Sequence, residues 1–314
     1  MFKPFTSIDG QIALLQRRGV QTDKQTPVLL AREGYYAIVN GYKDPFLDAE
    51  ASRKAGDDRY LSWTSFNGIY SLFLFDRKLR FLCLRTLTVA ETLLRTACAY
   101  CFSASHRDET NAYLNPANYS DDPSKGGDVA YVISQLEKIL HKSKTPPAHG
   151  GKEYLYHCTV AYDGEIPLWV MANDMMMGQV TSLFRAMTRE DRGAVARYLE
   201  GLYNASHKHP ITIEPHRIDS AYRRIKDFRN ICAHDERLYC ARPYGENNSF
   251  AQLVQDLRFV TTRVDYVEFL RQLRTLMSSI GMKLPRQASA VFSRMGFPNG
   301  ISDVDACIDK ATRL

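Results

Sequence analysis

The residues best suited to chemistry lie close together in Phe228-Arg229-Asn230-Ile231-Cys232-Ala233-His234, near the end of a long amphipathic stretch. An imidazole takes and gives protons near neutral pH, and a guanidinium offers a rigid fork of donors to phosphate oxygens. An amide such as that of Asn230 orients the imidazole or the helix terminus. Together these groups suit RNA cleavage by internal transesterification. A base takes the 2′-OH proton, an acid protonates the departing 5′-oxygen, and positive charge steadies the phosphate. No metal is required. On a helix Asn230, His234 and Arg237 lie one or two turns apart and share a face, with Arg237 available to a further phosphate. Arg229, five positions before His234, is about 140° away around an ideal helix, so its long side chain must wrap or the helix must loosen. One chain supplies one such histidine, so proton transfer in two steps points to two copies across a dimer. Taken alone, Arg-x-x-x-x-His is unspecific, and His234 beside Asp235 and Glu236 equally fits a solvated helix end.

Other residues qualify as support. Glu91 and Arg95 stand at i, i+4 on a strongly apolar helix. They read either as an ion pair worth about 0.2–0.5 kcal/mol or as a pair that packs beside the helix of Arg229 and orients the site. Tyr36, Tyr42 and Lys43, with Tyr35 and Phe46, mix aromatic and basic character around Asn40-Gly41. That mixture suits stacking of an unpaired base and binding of its phosphate, and equally a packed core with a tight turn. Arg223, Arg224 and Lys226 precede the motif and either extend a phosphate track or form a solvated helix face. Cys98 and Cys101 form the one Cys-x-x-Cys and, lacking a second pair, read as helix core rather than zinc ligands. His141, His149, His157, His207 and His209 lack ligand spacing, so neither a metal nor another cofactor is expected.

The chain that must position these groups has 314 residues, 45% hydrophobic and 24% charged, the balance of an ordinary globular protein with a sizeable core. Its net charge of +6 leans toward anionic partners without reaching histone-like density. No apolar run reaches the roughly 18 to 20 residues that span a bilayer, and residues 1–20 lack a secretory apolar segment. The seven cysteines, odd in number and scattered in apolar stretches, fit a reducing compartment, and the expected location is the cytoplasm.

Helical periodicity dominates. Ser7-Ile8-Asp9 starts a helix that Gly19 ends, a second is expected from about Pro27 to Val39, and residues 48–60 read as loop. Residues 65–100 form the clearest helical stretch, with Ile69, Leu72, Leu79, Leu87 and Leu94 recurring at threes and fours. Turn residues make 104–128 and 144–152 irregular, on either side of a helix from near Val129 to Ser143. Further helices are expected at about 153–161, 167–187, 190–200, 214–234 and 250–281, with Thr188-Arg189-Glu190-Asp191 as one cap. The fold class is all-α. The division suggested is an N-terminal helical segment over 1–60, a main helical domain over 61–281 and a C-terminal tail over 282–314.

Phe228 to His234, followed by Arg237-Leu238, resembles the Arg-Asn-x-x-x-His signature of HEPN ribonucleases as carried by the Abi family of phage abortive-infection proteins. Residues 35–46 are similar to that family, as are Asp76-Arg77-Lys78-Leu79-Arg80 with Glu91 and Arg95, and Pro167-Leu168-Trp169-Val170 before Phe184. The likeness spans roughly residues 10–240. Four positions after Trp169, where the family commonly carries an acidic residue, this chain has Asn173, with Asp174 next. The resemblance implies a HEPN-like helical bundle with extra N- and C-terminal helices, RNA as substrate or ligand, and a homodimer that brings two motifs together. It also implies a role in halting growth of phage-infected bacteria, in some relatives with a small noncoding RNA that restrains or guides the protein as in a toxin–antitoxin pair. The same motif occurs in the nuclease sites of type VI CRISPR effectors. The functional expectation is a metal-independent endoribonuclease. The competing expectations are a non-catalytic RNA-binding protein, forming a particle with a small structured RNA, and a helical protein-interaction scaffold.

Overall fold

Fourteen α-helices follow one another along the described residues, 5–313, of the computed structural model: α1 (Ile8–Arg17), α2 (Thr26–Glu33), α3 (Ala49–Ala55), α4 (Phe66–Ser105), α5 (Gly126–Ser143), α6 (Glu153–Ala161), α7 (Leu168–Met171), α8 (Met177–Ala186), α9 (Arg189–Ser206), α10 (Pro215–Ala233), α11 (Phe250–Leu257), α12 (Arg263–Lys283), α13 (Ala288–Met295) and α14 (Ile301–Arg313). Residues 1–4 and 314, the outer ends of the expected N-terminal segment and C-terminal tail, lie outside them. Isolated β-bridges occur, but no strand forms among the described residues, so the chain is all-α.

Local chemistry explains several boundaries. The Ser7 hydroxyl caps α1 by accepting from the Gly10 amide at 3.2 Å. The helix expected up to Val39 stops instead at Glu33, because Gly34 adopts a φ of 84° that ends a right-handed helix. Residues Tyr36–Asn40 then form a π-helical turn. Part of the expected loop at 48–60 is helix: the Asp48 carboxylate caps α3 by accepting from the Ala51 amide at 2.9 Å. That helix buries none of its residues, so it leaves no apolar periodicity to read. The helix expected over 250–281 is two, since residues 258–262 turn and Thr262 Oγ1 caps α12 by accepting from the Asp265 amide at 3.1 Å. Likewise 167–187 divides into α7, a 3-10 turn at Ala172–Asp174, and α8.

The chain divides into two compact units. Unit 1 comprises Met1–Leu84, Ile231–Gln252 and Val267–Ala311, and unit 2 comprises Arg85–Asn230, Leu253–Tyr266 and Thr312–Leu314. In unit 1, Leu15, Ile38, Phe46, Phe66, Ile69, Leu72, Leu238 and Tyr239 are buried with Leu273, Met277 and Val291. Arg77 clasps Glu33 there through contacts at 2.7 and 3.2 Å. In unit 2, α5 packs on α8, and Gln179 donates to Gln135 at 3.0 Å. Its core includes Leu94, Phe102, Leu136, Phe184, Tyr222, Ile225 and Phe228. Thr188 caps α9 as expected, its hydroxyl accepting from the Asp191 amide at 3.1 Å.

Candidate functional site

Within unit 2, the apolar face of α10 buries Tyr222, Ile225 and Phe228, which fixes where the neighbouring polar residues stand. Asn230 is exposed, and about a third of the Arg229 side chain is open. Arg229 Nε lies 3.3 Å from Glu91 Oε2, while Arg95 Nη2 donates to Glu91 Oε1 at 2.9 Å and to the Met175 carbonyl at 3.1 Å. Glu91 is 7% exposed, so this carboxylate is held between two guanidinium groups in a place water reaches poorly. Glu91 and Arg95 form the i, i+4 ion pair, and Glu91 alone of the two also reaches Arg229. Nε of Arg229 and Nε of Arg95 are buried without a hydrogen-bond partner among the described residues. Sequence reasoning missed Asp227. Burial pushes its carboxyl up, Lys226 at 3.5 Å opposes that, and its Oδ2 is buried without a hydrogen-bond partner.

Within unit 1, α10 ends at Ala233, and His234 and Asp235 form a turn. Asp235 adopts a left-handed φ of 58°, and the Glu236 amide donates back to the Ile231 carbonyl at 3.0 Å, a Schellman closure that satisfies an otherwise orphaned carbonyl. His234 is exposed on this turn. The expected helical face shared by His234 and Arg237 is therefore corrected. Arg237 lies beyond the helix end and donates to the Gly41 carbonyl at 3.0 Å. A left-handed residue ends a helix, and aspartate is among the few non-glycine residues that tolerate that conformation.

Buried groups hold the turn in place. Arg80, 2% exposed, pairs with Asp235, donates to the Glu236 carbonyl at 3.2 Å and to Asp76 Oδ2 at 2.8 Å. Asp76, fully buried, also accepts from the Leu238 amide at 3.0 Å, the Tyr239 amide at 2.7 Å and the Tyr42 hydroxyl at 2.7 Å. Burial raises the pKa of this carboxyl, and the Leu238 amide, Tyr42, Arg80 and the Tyr239 amide pull the other way. Two amides and a guanidinium only donate, so the ionised form is the one that satisfies them. Burial first, then Asp76, raises the Tyr42 phenol far above its usual range.

The remaining expected residues fall in different settings. Tyr36 is 77% exposed, but Tyr42 is core, stacked 6.0 Å from Tyr239. Lys43 is paired with Asp58 at 2.5 Å. Arg223 pairs with Asp219 at 3.2 Å and Arg224 with Asp256 at 2.6 Å, so the basic run before the motif is largely matched by acids. Asn173 donates to the Trp169 carbonyl at 3.1 Å, and Asp174 pairs with Lys152. Cys98 and Cys101 are buried free thiols, the first pushed well up and the second to about 11, both by burial. Among the described residues no group of three or more His, Cys, Asp or Glu could hold a metal ion. No described helix is long and apolar enough to cross a membrane.

Fold and site define an all-helical protein that carries an Arg-Asn-x-x-x-His segment at the end of a long helix, with the arginine braced by a nearly buried glutamate. The chain belongs to the family of Abi-like proteins, whose model matches residues 28–240 and so includes the whole segment. Membership places it with abortive-infection proteins of phage defence. No curated protein and no solved structure matches the chain.

Proposed function

We propose that the chain is an abortive-infection endoribonuclease of the HEPN kind, acting in the cytoplasm without a metal. Arg229, Asn230 and His234 of one chain segment carry the reaction. The 2′-oxygen of a ribose forms a bond to phosphorus as its proton leaves, and the bond from phosphorus to the 5′-oxygen breaks as that oxygen is protonated. The products are a 2′,3′-cyclic phosphate and a 5′-OH. His234 handles protons, Arg229 stabilises the charge on the phosphorane, and Asn230 positions the imidazole. A single motif histidine per chain makes a homodimer the working form, with the second copy supplying the other proton-transfer group. A small structured RNA that restrains or guides the protein fits the same chemistry.

The observation that supports this reading best is the setting of Arg229. It is partly exposed, and its Nε lies 3.3 Å from the nearly buried Glu91, which leaves the rest of the guanidinium fork open to a phosphate. Wild type and His234→Ala purified side by side, and tested on total RNA and on whatever RNA copurifies, check the proposal. Cleavage by wild type alone, with cyclic-phosphate ends, is expected. Equal cleavage by both removes His234 from the chemistry. A discrete bound RNA with cleavage by neither makes the chain a ribonucleoprotein component instead.

A further inference from the structure

In unit 2 a cavity of about 430 Å³ opens between α4 and the segment of α7 with its following 3-10 turn, lined by Arg95, Ala99, Tyr100, Trp169, Ala172 and Asn173, among others. Its volume falls within the range of about 300–1,000 Å³ usual for small-ligand sites. The small buried side chains of Ala99 and Ala172 line it, and the Tyr100 and Trp169 side chains are 61% and 59% exposed. Large aromatic rings left in water beside a cavity of this size offer open faces, and Tyr100 is backed by Tyr198 at 5.5 Å on one side. Arg95, which lines the cavity, is the residue that shares Glu91 with Arg229, and its Nε has no hydrogen-bond partner among the described residues.

We infer that this cavity seats one unpaired nucleobase of a single-stranded RNA, stacked on Trp169 and Tyr100, with Arg95 facing the adjoining phosphate. The inference rests on the ribonuclease reading for its choice of RNA and adds where the strand is gripped. Every base has a π-face, so aromatic platforms hold single strands with little regard to sequence, and a guanidinium beside them supplies the charge complement. Through Glu91, a strand seated here is linked by two ion pairs to the motif arginine. The seat therefore sets which phosphate is presented to Arg229.

Trp63 and Trp169 are the two tryptophans, so in a Trp63→Phe background the fluorescence reports Trp169 alone. The probe is a hexaribonucleotide, compared with a ribose-phosphate chain of equal length lacking bases and with free AMP. Saturable quenching of Trp169 by the hexaribonucleotide, and by neither of the others at the same concentration, is expected. Trp169→Ala is expected to weaken binding about tenfold or more, measured by anisotropy of the labelled oligomer, and Trp169→Phe to restore most of it. Asn173→Asp, which adds a carboxylate to the cavity lining, should weaken binding as well. Unchanged thermal midpoints in these exposed-site variants separate binding from folding. Should the oligomer bind without altering Trp169 emission, and Trp169→Ala bind as tightly as its parent, the seat is elsewhere and the inference falls, while cleavage that depends on His234 still stands. Binding of AMP as tight as that of the oligomer overturns the assignment to an RNA strand.

Discussion

At the residue scale the decisive group is Glu91. It touches no reacting atom in the proposed chemistry, so it is a positioning residue whose role is to hold Arg229 and Arg95. Glu91→Gln keeps the shape and removes the charge, leaving two guanidinium groups near each other with a neutral amide between them. The expected cost to stability is about 1–3 kcal/mol, as for a charged hydrogen bond, measured by urea unfolding. RNA cleavage should fall on the order of 10- to 100-fold in kcat with KM little changed, since a misplaced arginine loses transition-state contacts more than ground-state ones. Loss of stability with kcat intact would leave Glu91 a structural residue only. The site itself was partly legible in the sequence. Arg229, Asn230 and His234 are near neighbours in the chain, so their spacing could be read directly. Their supports were harder to see. Glu91 stands out in the sequence through its i, i+4 partner, but its contact with Arg229 joins residues far apart in sequence, and one sequence carries no sign of such a pairing. Asp227 escaped because a lone aspartate on a polar helix face looks solvated, and its burial is a property of the fold.

At the scale of elements, the turn that follows α10 depends on α4. Asp76 and Arg80, one helical turn apart, tie residues 235–239 through two backbone amides, a carbonyl and Asp235. Asp76→Asn would leave Arg80 charged and nearly buried, and would turn an amide NH2 or a single carbonyl toward several donors. Breaking one partner of such a buried pair costs about 3–5 kcal/mol. Asp235→Asn keeps a residue that tolerates the left-handed conformation and removes one ion pair whose carboxylate side chain is 67% exposed. Its expected cost is below about 1 kcal/mol. Urea midpoints of the two variants test this ranking, and equal losses would mean that the network does not act through Asp76. The elements themselves show why sequence reading failed where it did. α4 and α10 were clear because each buries a wide apolar stripe. α3 has no such stripe and is set by its Asp48 cap, while α2 ends short of the expected Val39 because Gly34 stops it through backbone conformation. Asp235 likewise turns the chain after α10, so Arg237 does not share the helical face expected of it.

At the scale of the whole molecule, carboxyl groups in both units set how stability depends on pH. Five are held below their ordinary range by hydrogen bonds: Asp23 chiefly by Asn67, Glu33 by Arg77, Asp57 by Arg18, Glu109 by Asn115 and Asp122 by Ser124. A carboxyl lowered by folding contributes stability that is complete above its unfolded value, 4.5 for Glu33 and 3.8 for Asp57, and that is lost as pH falls through the lower folded value. Asp227 runs the other way: burial raises it, so the folded chain takes up its proton before the unfolded chain does, and stability gains as pH falls from that raised value toward 3.8. The lowered groups lose nothing above their unfolded values, so the urea midpoint should not fall between pH 7 and 5. Below about pH 4 the lowered groups titrate, and the midpoint should drop steeply. Arg77→Met removes the first cause of the Glu33 shift, so its loss between pH 5 and 3 should be smaller than that of the parent. A parent midpoint that rises on going from pH 5 to 3 would mean that Asp227 outweighs the hydrogen-bonded carboxyls. An Arg77→Met curve parallel to the parent would remove Glu33 from the balance.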